Sequence, residues 1–118
     1  MKAKVNNEKG IIVLPDNWSS SYYALNNTAS YNDNSISLSS WNTLEECGAV
    51  FLPAAGEIFT TDPLYILWEY SIDYGQGIYW SSSVVDGSVK SKEFWDESSY
   101  TLSGGRGHRH SVRLVQDY

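Results

Sequence analysis

Two short apolar bursts of one design stand 38 positions apart in the chain: GIIVLP at residues 10 to 15 and GAVFLP at residues 48 to 53. Each opens on glycine, runs through apolar residues and stops at Leu-Pro. The pattern predicts a short buried strand with a fixed exit, because proline lacks the N–H that a ladder needs and biases the residue before it towards extended backbone. The residues after Pro15 do not resemble those after Pro53, so the two copies read as one device used twice rather than as an internal repeat.

Between them, residues 18 to 38 are mostly Ser, Asn, Tyr and Thr, with isolated Leu25 and Ile36 and no sustained period of 2 or 3.6. This stretch reads as a long structured loop anchored by its aromatics. Residues 40 to 47 then predict a helix of about two turns, with Ser39 or Ser40 as N-cap and Trp41, Leu44 and Cys47 at helical spacing. Gly48 stands where a left-handed terminating residue is expected, so the helix should feed directly into a strand over residues 49 to 52.

Residues 59 to 77 fit helix and strand equally. GIYWSSSVV, starting at Gly77, predicts a strand with Ile78 and Trp80 in the core and Tyr79 outward. Further strands are expected around residues 89 to 95 and 110 to 115. Short strands, one or two short helices and long polar loops predict an α+β fold with an antiparallel sheet, in a chain whose 118 residues suit a single domain, 1 to 118.

Charge narrows the function. Lys2, Lys4 and Lys9 are followed by no cation until Lys90, while nine carboxylates occupy that interval and the net charge is −6. Such a surface repels a phosphate backbone, which argues against nucleic-acid binding. Cys47, the one cysteine, excludes an internal disulfide and a CxxC zinc knuckle and is expected to pack as a small apolar residue. The start MKAKVNNEKG has no apolar segment behind its charges, and no run is long enough for a membrane helix, so no membrane insertion is expected.

The stretch YALNNTASYNDNSISLSSWNTLEECGAVFLPAAG, followed in order by YWSSS and SVRLV, resembles the Fibrobacter major paralogous (FISUMP) domains of bacteria, over roughly residues 3 to 117. These are similar to C-type-lectin-like and sulfatase-modifying-factor-like folds, and some relatives of that fold are the variable proteins of diversity-generating retroelements. The resemblance implies an extracellular or cell-surface module in which strands hold up variable loops that bind a glycan or protein ligand. It also implies that the usual N-terminal part of the fold, upstream of AKVN, is missing. An apolar surface left open by that loss predicts a homo-oligomer, a dimer or larger.

Residues 74 to 100 and 103 to 110 are rich in Tyr, Ser, Gly, Asp and Trp, a mixture in which rigid aromatics give contact area and small polar residues give adaptable hydrogen bonds. Together with the resemblance this nominates Tyr74, Tyr79, Ser83, Asp86 and Trp95 as ligand-binding residues. Asp96 and Tyr100 complete that set. The basic segment GGRGHRHSVR adds Arg106, His108 and His110, suited to a carboxylate or sulfate, with Arg113 read as structural. The ordinary alternative is solvated loops with a few aromatics tucked inward.

No metal and no cofactor is expected. The His pair would need a third ligand from elsewhere, for which Asp96 and Glu97 are available, but histidine pairs on exposed loops are usually not ligands, and only FWDE faintly resembles the calcium motifs of sugar-binding C-type lectins. Catalysis is the weaker reading, because the modifying enzymes of the related fold use paired cysteines and neither GxSxG nor HExxH occurs. A structural repeat unit of a surface assembly is the remaining alternative.

Overall fold

The computed structural model describes residues 1–27, 30–56, 58–59, 75–95, 98–103, 108–109 and 111–112, with backbone alone at 58–59, 98–103 and 108–109. The fold is α+β, built from strands, one α-helix and one 3-10 turn among the described residues. Its contacts gather into two compact units, Met1–Ala54 and Ala55–Tyr118.

The first unit is a four-stranded sheet with its helix. Strands β1 (Lys2–Val5) and β2 (Glu8–Val13) form an antiparallel hairpin, β4 (Val50–Pro53) lies along the other side of β2, and β3 (Ser35–Ile36) runs parallel to β1. The two apolar bursts are thus partners: Ile11 faces Leu52, Ile12 faces Phe51 and Gly10 faces Pro53. Pro53 is tolerated because β4 is an edge of this sheet. A Cβ on Gly10 would stand 2.6 Å from the Phe51 ring, so only glycine fits there. The hairpin closes through Asn6 and Asn7, at φ 50° and 70°, the mirror-image turn whose twist matches that of the strands.

Helix α1 (Leu38–Glu46) starts earlier than the Ser39 or Ser40 cap expected from sequence: the N-cap is Ser37, whose Oγ accepts from the Ser40 amide at 3.2 Å. It ends as the sequence predicts. Gly48 adopts φ 88°, its N–H donates to the Glu45 carbonyl, and the Ala49 N–H donates to the Leu44 carbonyl at 3.0 Å. That paired bonding is a Schellman close. It delivers Ala49 into the core with Leu44, Trp41, Ala3, Val5, Ile12 and Ile36, and Phe51 leans on Trp41 at 5.8 Å between rings.

The polar segment between β2 and the helix is tied down by side chains. Buried Asn34 donates to the carbonyls of Lys2 and Asn26, both at 2.8 Å, and accepts from the Asn26 amide at 2.8 Å. The 3-10 turn Tyr31–Asp33 buries Tyr31, with the ammonium groups of Lys2 and Lys9 at 5.6 and 5.9 Å from its ring. Trp18, Tyr23 and Leu25 pack partly against the core, the anchoring that the aromatics of this segment predict.

The second unit holds an antiparallel meander, β6 (Gly77–Val85), β7 (Ser88–Trp95) and β8 (Ser98–Ser103), and a two-stranded pair of β5 (Ile58–Phe59) with β9 (His108–Arg109). Ser111 bridges to β6 beside Tyr79, accepting from the Trp80 amide at 3.1 Å and donating to the Ile78 carbonyl at 3.0 Å. Of the strand expected over residues 110 to 115, the described part shows this isolated bridge at Ser111; β9 lies just before that range, and residues 110 and 113–118 lie outside the described residues.

Candidate ligand-binding surface

The meander is pinned at its base by one packing event. Gly77 faces Phe94 across β6 and β7, and the Phe94 ring lies where a Cβ on Gly77 would be, with ring carbons 2.7 and 2.8 Å from it. Phe94 is wholly buried, and Tyr79 stacks on it at 6.3 Å with the rings 8° from parallel.

This corrects the expected phase of β6. Tyr79, nominated for the ligand face, is only 7% exposed, whereas Trp80, expected in the core, is half-buried. Alternation misleads here because it assumes one wet face. Gly77, Ile78 and Tyr79 are all buried, the condition of a strand covered on both faces.

Beyond Trp80 the strand changes character. Trp80 faces Ser91 and Val84 faces Val89, so residues 81–83 of β6 stand opposite Lys90 alone. The result is an irregular β-bulge, which bends a strand and re-aims its side chains. Ser83 lies in it, exposed, its amide bonded to Ser81 Oγ at 3.1 Å. Asp86 and Gly87, at φ 52° and 75°, form the hairpin turn. Every residue from 81 to 87 is exposed, including Val84 at 62% and Val85 at 47%.

A second correction concerns Tyr100. Residues 98–100 and 103, read from sequence as parts of two loops, belong to strand β8 (Ser98–Ser103), in which Tyr100 stands opposite Glu93 and Ser98 opposite Trp95. Its neighbours in the ladder, rather than a loop tip, fix its position. His108 likewise is a strand residue, opposite Phe59 in the β5–β9 pair. Tyr74, Asp96, Arg106 and His110 lie outside the described residues.

The nominated residues do not all converge. Ser83 and Asp86 share the turn end of the β6–β7 hairpin, while half-buried Trp95 closes the other end of β7, ~23 Å away at the usual rise along a strand. Two polar residues that the sequence did not single out lie near Trp95: Gln76 Nε2 donates to Glu93 Oε1 at 2.7 Å, and both are half-buried. Glu93 alternates along β7 with Ser91 and Trp95 and faces Ile78, which alternates with Trp80, so these residues occupy one face of the sheet. Ile78 and Ser91 are buried there while Trp80, Glu93 and Trp95 keep contact with solvent.

Among the described residues no three His, Cys, Asp or Glu side chains converge as metal ligands would, and no helix is long and apolar enough to cross a membrane. Comparison with models of protein families, with curated proteins and with solved structures gave no match to the chain.

Proposed function

We propose that the chain is a non-catalytic ligand-binding module of a bacterial surface or secreted protein, of the C-type-lectin-like FISUMP kind that its motifs resemble, and that the β6–β8 meander presents its binding surface to a glycan or protein. The observation that carries the reading is the change along β6. Its first three residues are buried, Gly77 and Tyr79 against Phe94, and the strand then runs, still paired at its tip, into a bulge and turn exposed at every residue from 81 to 87. A rigid base that holds up an exposed mixture of serine, valine and aspartate is the arrangement by which a scaffold displays contact residues.

The purified chain, screened against glycan and protein arrays, should bind a definable class of ligand. Ser83→Arg or Val84→Asp, at the exposed bulge, should then weaken that binding with the melting temperature unchanged. Absence of any ligand on both arrays would contradict the proposal.

Exposed Val84, Val85 and Val89, clustered at one hairpin tip, also favour the second reading, a structural unit that meets further copies in a surface assembly. Sedimentation separates the two, because the second reading requires association that Val84→Asp abolishes.

A further inference from the structure

We infer that the tip of the β6–β7 hairpin, residues 81 to 89, seats as a plug in an apolar cleft of a protein partner, an inference that deepens the ligand-binding reading above and rests on it. Strand β8 accompanies β7 only as far as Lys90, opposite Ser103, and Ser111 meets β6 at Tyr79. Past Lys90 the hairpin continues for ~10 Å, at the usual rise along a strand, to the turn at Asp86 and Gly87. Val84 is 62%, Val85 47% and Val89 39% exposed there. Val84 and Val89 stand opposite one another and share one face of the hairpin, whereas Val85, opposite Ser88, is on the other. A flat partner covers one face alone; a cleft that admits the tip covers both.

The make-up of the tip selects its occupant. Residues 81 to 89, SSSVVDGSV, hold no aromatic ring on which a sugar could pack, and a projecting tip encloses nothing, so a glycan has little to grip. The bulge sets residues 81–83 opposite Lys90 alone, with backbone groups that the β6–β7 ladder does not pair; water solvates them and hydrocarbon would not, which argues against a membrane. A second copy is disfavoured by size and by charge. A stable pair needs about 20–30 residues a side, and two tips laid together would bring Asp86 against Asp86 in chains of net charge −6. A cleft draws contact from both faces of the same few residues, and its walls can offer hydrogen bonds to the serines. Asp86, at the apex and the one ionisable group of the tip, loses its water on entry, so the floor of the cleft must carry a cation to meet it.

The test is an array of purified proteins probed with the full chain, beside a glycan array, followed by titration in solution with the array protein that binds most tightly. Val84→Asp and Val85→Asp, on opposite faces, should each weaken that binding about tenfold or more. Both positions are exposed, so amide exchange in β6 and β7 should be unaltered. Asp86→Asn keeps a residue that suits the turn, and should weaken binding and reduce its dependence on salt whatever the valine variants do to the fold. Loss of binding from neither or only one of the two valine variants overturns the inference, because it describes a flat contact or none at the tip. Self-association of the chain alone, or binding to phosphatidylcholine vesicles, overturns it where Val84→Asp abolishes that association, in favour of a second copy or a membrane. Binding to glycans alone overturns it while the broader ligand-binding reading stands; no binding on either array overturns both.

Discussion

The contact between Gly77 and Phe94 makes a quantitative prediction about what holds the meander together. A methyl at residue 77 would overlap the Phe94 ring, whose Cε atoms stand 2.7 and 2.8 Å from the Cβ position. Gly77 has no left-handed backbone to protect, so in open space Gly77→Ala would stabilise the strand by about 0.5–1 kcal/mol. Against the buried ring it should instead cost about 1–3 kcal/mol in overpacking. Phe94→Ala removes a fully buried ring and its stack on Tyr79, at a cost of about 3–5 kcal/mol.

The two effects must interact. With the ring gone, the methyl added by Gly77→Ala has room and fills part of the void, so the double variant should be no less stable than Phe94→Ala alone. The coupling is then at least the cost of Gly77→Ala alone, about 1–3 kcal/mol in the favourable sense. Amide hydrogen exchange in β6 and β7 reads the stability of the meander itself, separately from the rest of the chain. Effects that add within about 0.5 kcal/mol would refute the Gly77–Phe94 register, and with it the buried base on which the exposed hairpin depends.

Three further outcomes concern the Met1–Ala54 unit. Asn34→Ala strips partners from buried backbone groups of the segment around β3 and should cost about 2–3 kcal/mol by urea denaturation. Gly48→Ala puts a Cβ on a backbone at φ 88° and should cost about 1–2 kcal/mol, with early fraying of α1 seen in amide exchange. Leu44→Ala, at a wholly buried position, should cost about 2–5 kcal/mol, whereas Leu38→Ala, at 57% exposure in the same helix, should stay within about 0.5 kcal/mol; comparable losses would show that the helix is rotated about its axis.

The elements legible in the sequence are those whose ends are written in local chemistry. Gly48 and the spacing of Trp41 and Leu44 mark the close of α1 and the start of β4, because a left-handed cap and a helical stripe are properties of a few neighbouring residues. The N-cap is less legible, because Ser37, Ser39 and Ser40 are all competent and only packing chooses Ser37 among them. Strand β1 is hidden for a different reason. In KAKV the core positions Ala3 and Val5 alternate with lysines, an alternation too short to stand out, and nothing local shows that Lys2 is buried near Tyr31.

The candidate surface is legible in outline but not in phase. Serine-rich SSYTLS conceals strand β8, although Tyr100 and Leu102 at alternate positions among β-tolerant residues carry a weak signal of period 2. The burial of Tyr79 is not readable, since it depends on Phe94 fifteen residues away and on cover from both sides. Glu93 and Gln76 give no signal in the sequence because a single carboxylate and a single amide acquire meaning only when a ladder brings them to 2.7 Å.

The measurement that bears most directly on the meander as a binding surface is a residue-resolved map of ligand contact. The 15N-labelled chain would be titrated with the ligand that the array screen identifies, while its backbone amide resonances are followed. The account predicts that the shifts centre on residues 76 to 95 of the β6–β7 hairpin and on its β8 neighbour, with little change in residues 1 to 54. Shifts confined to the Met1–Ala54 unit would contradict it.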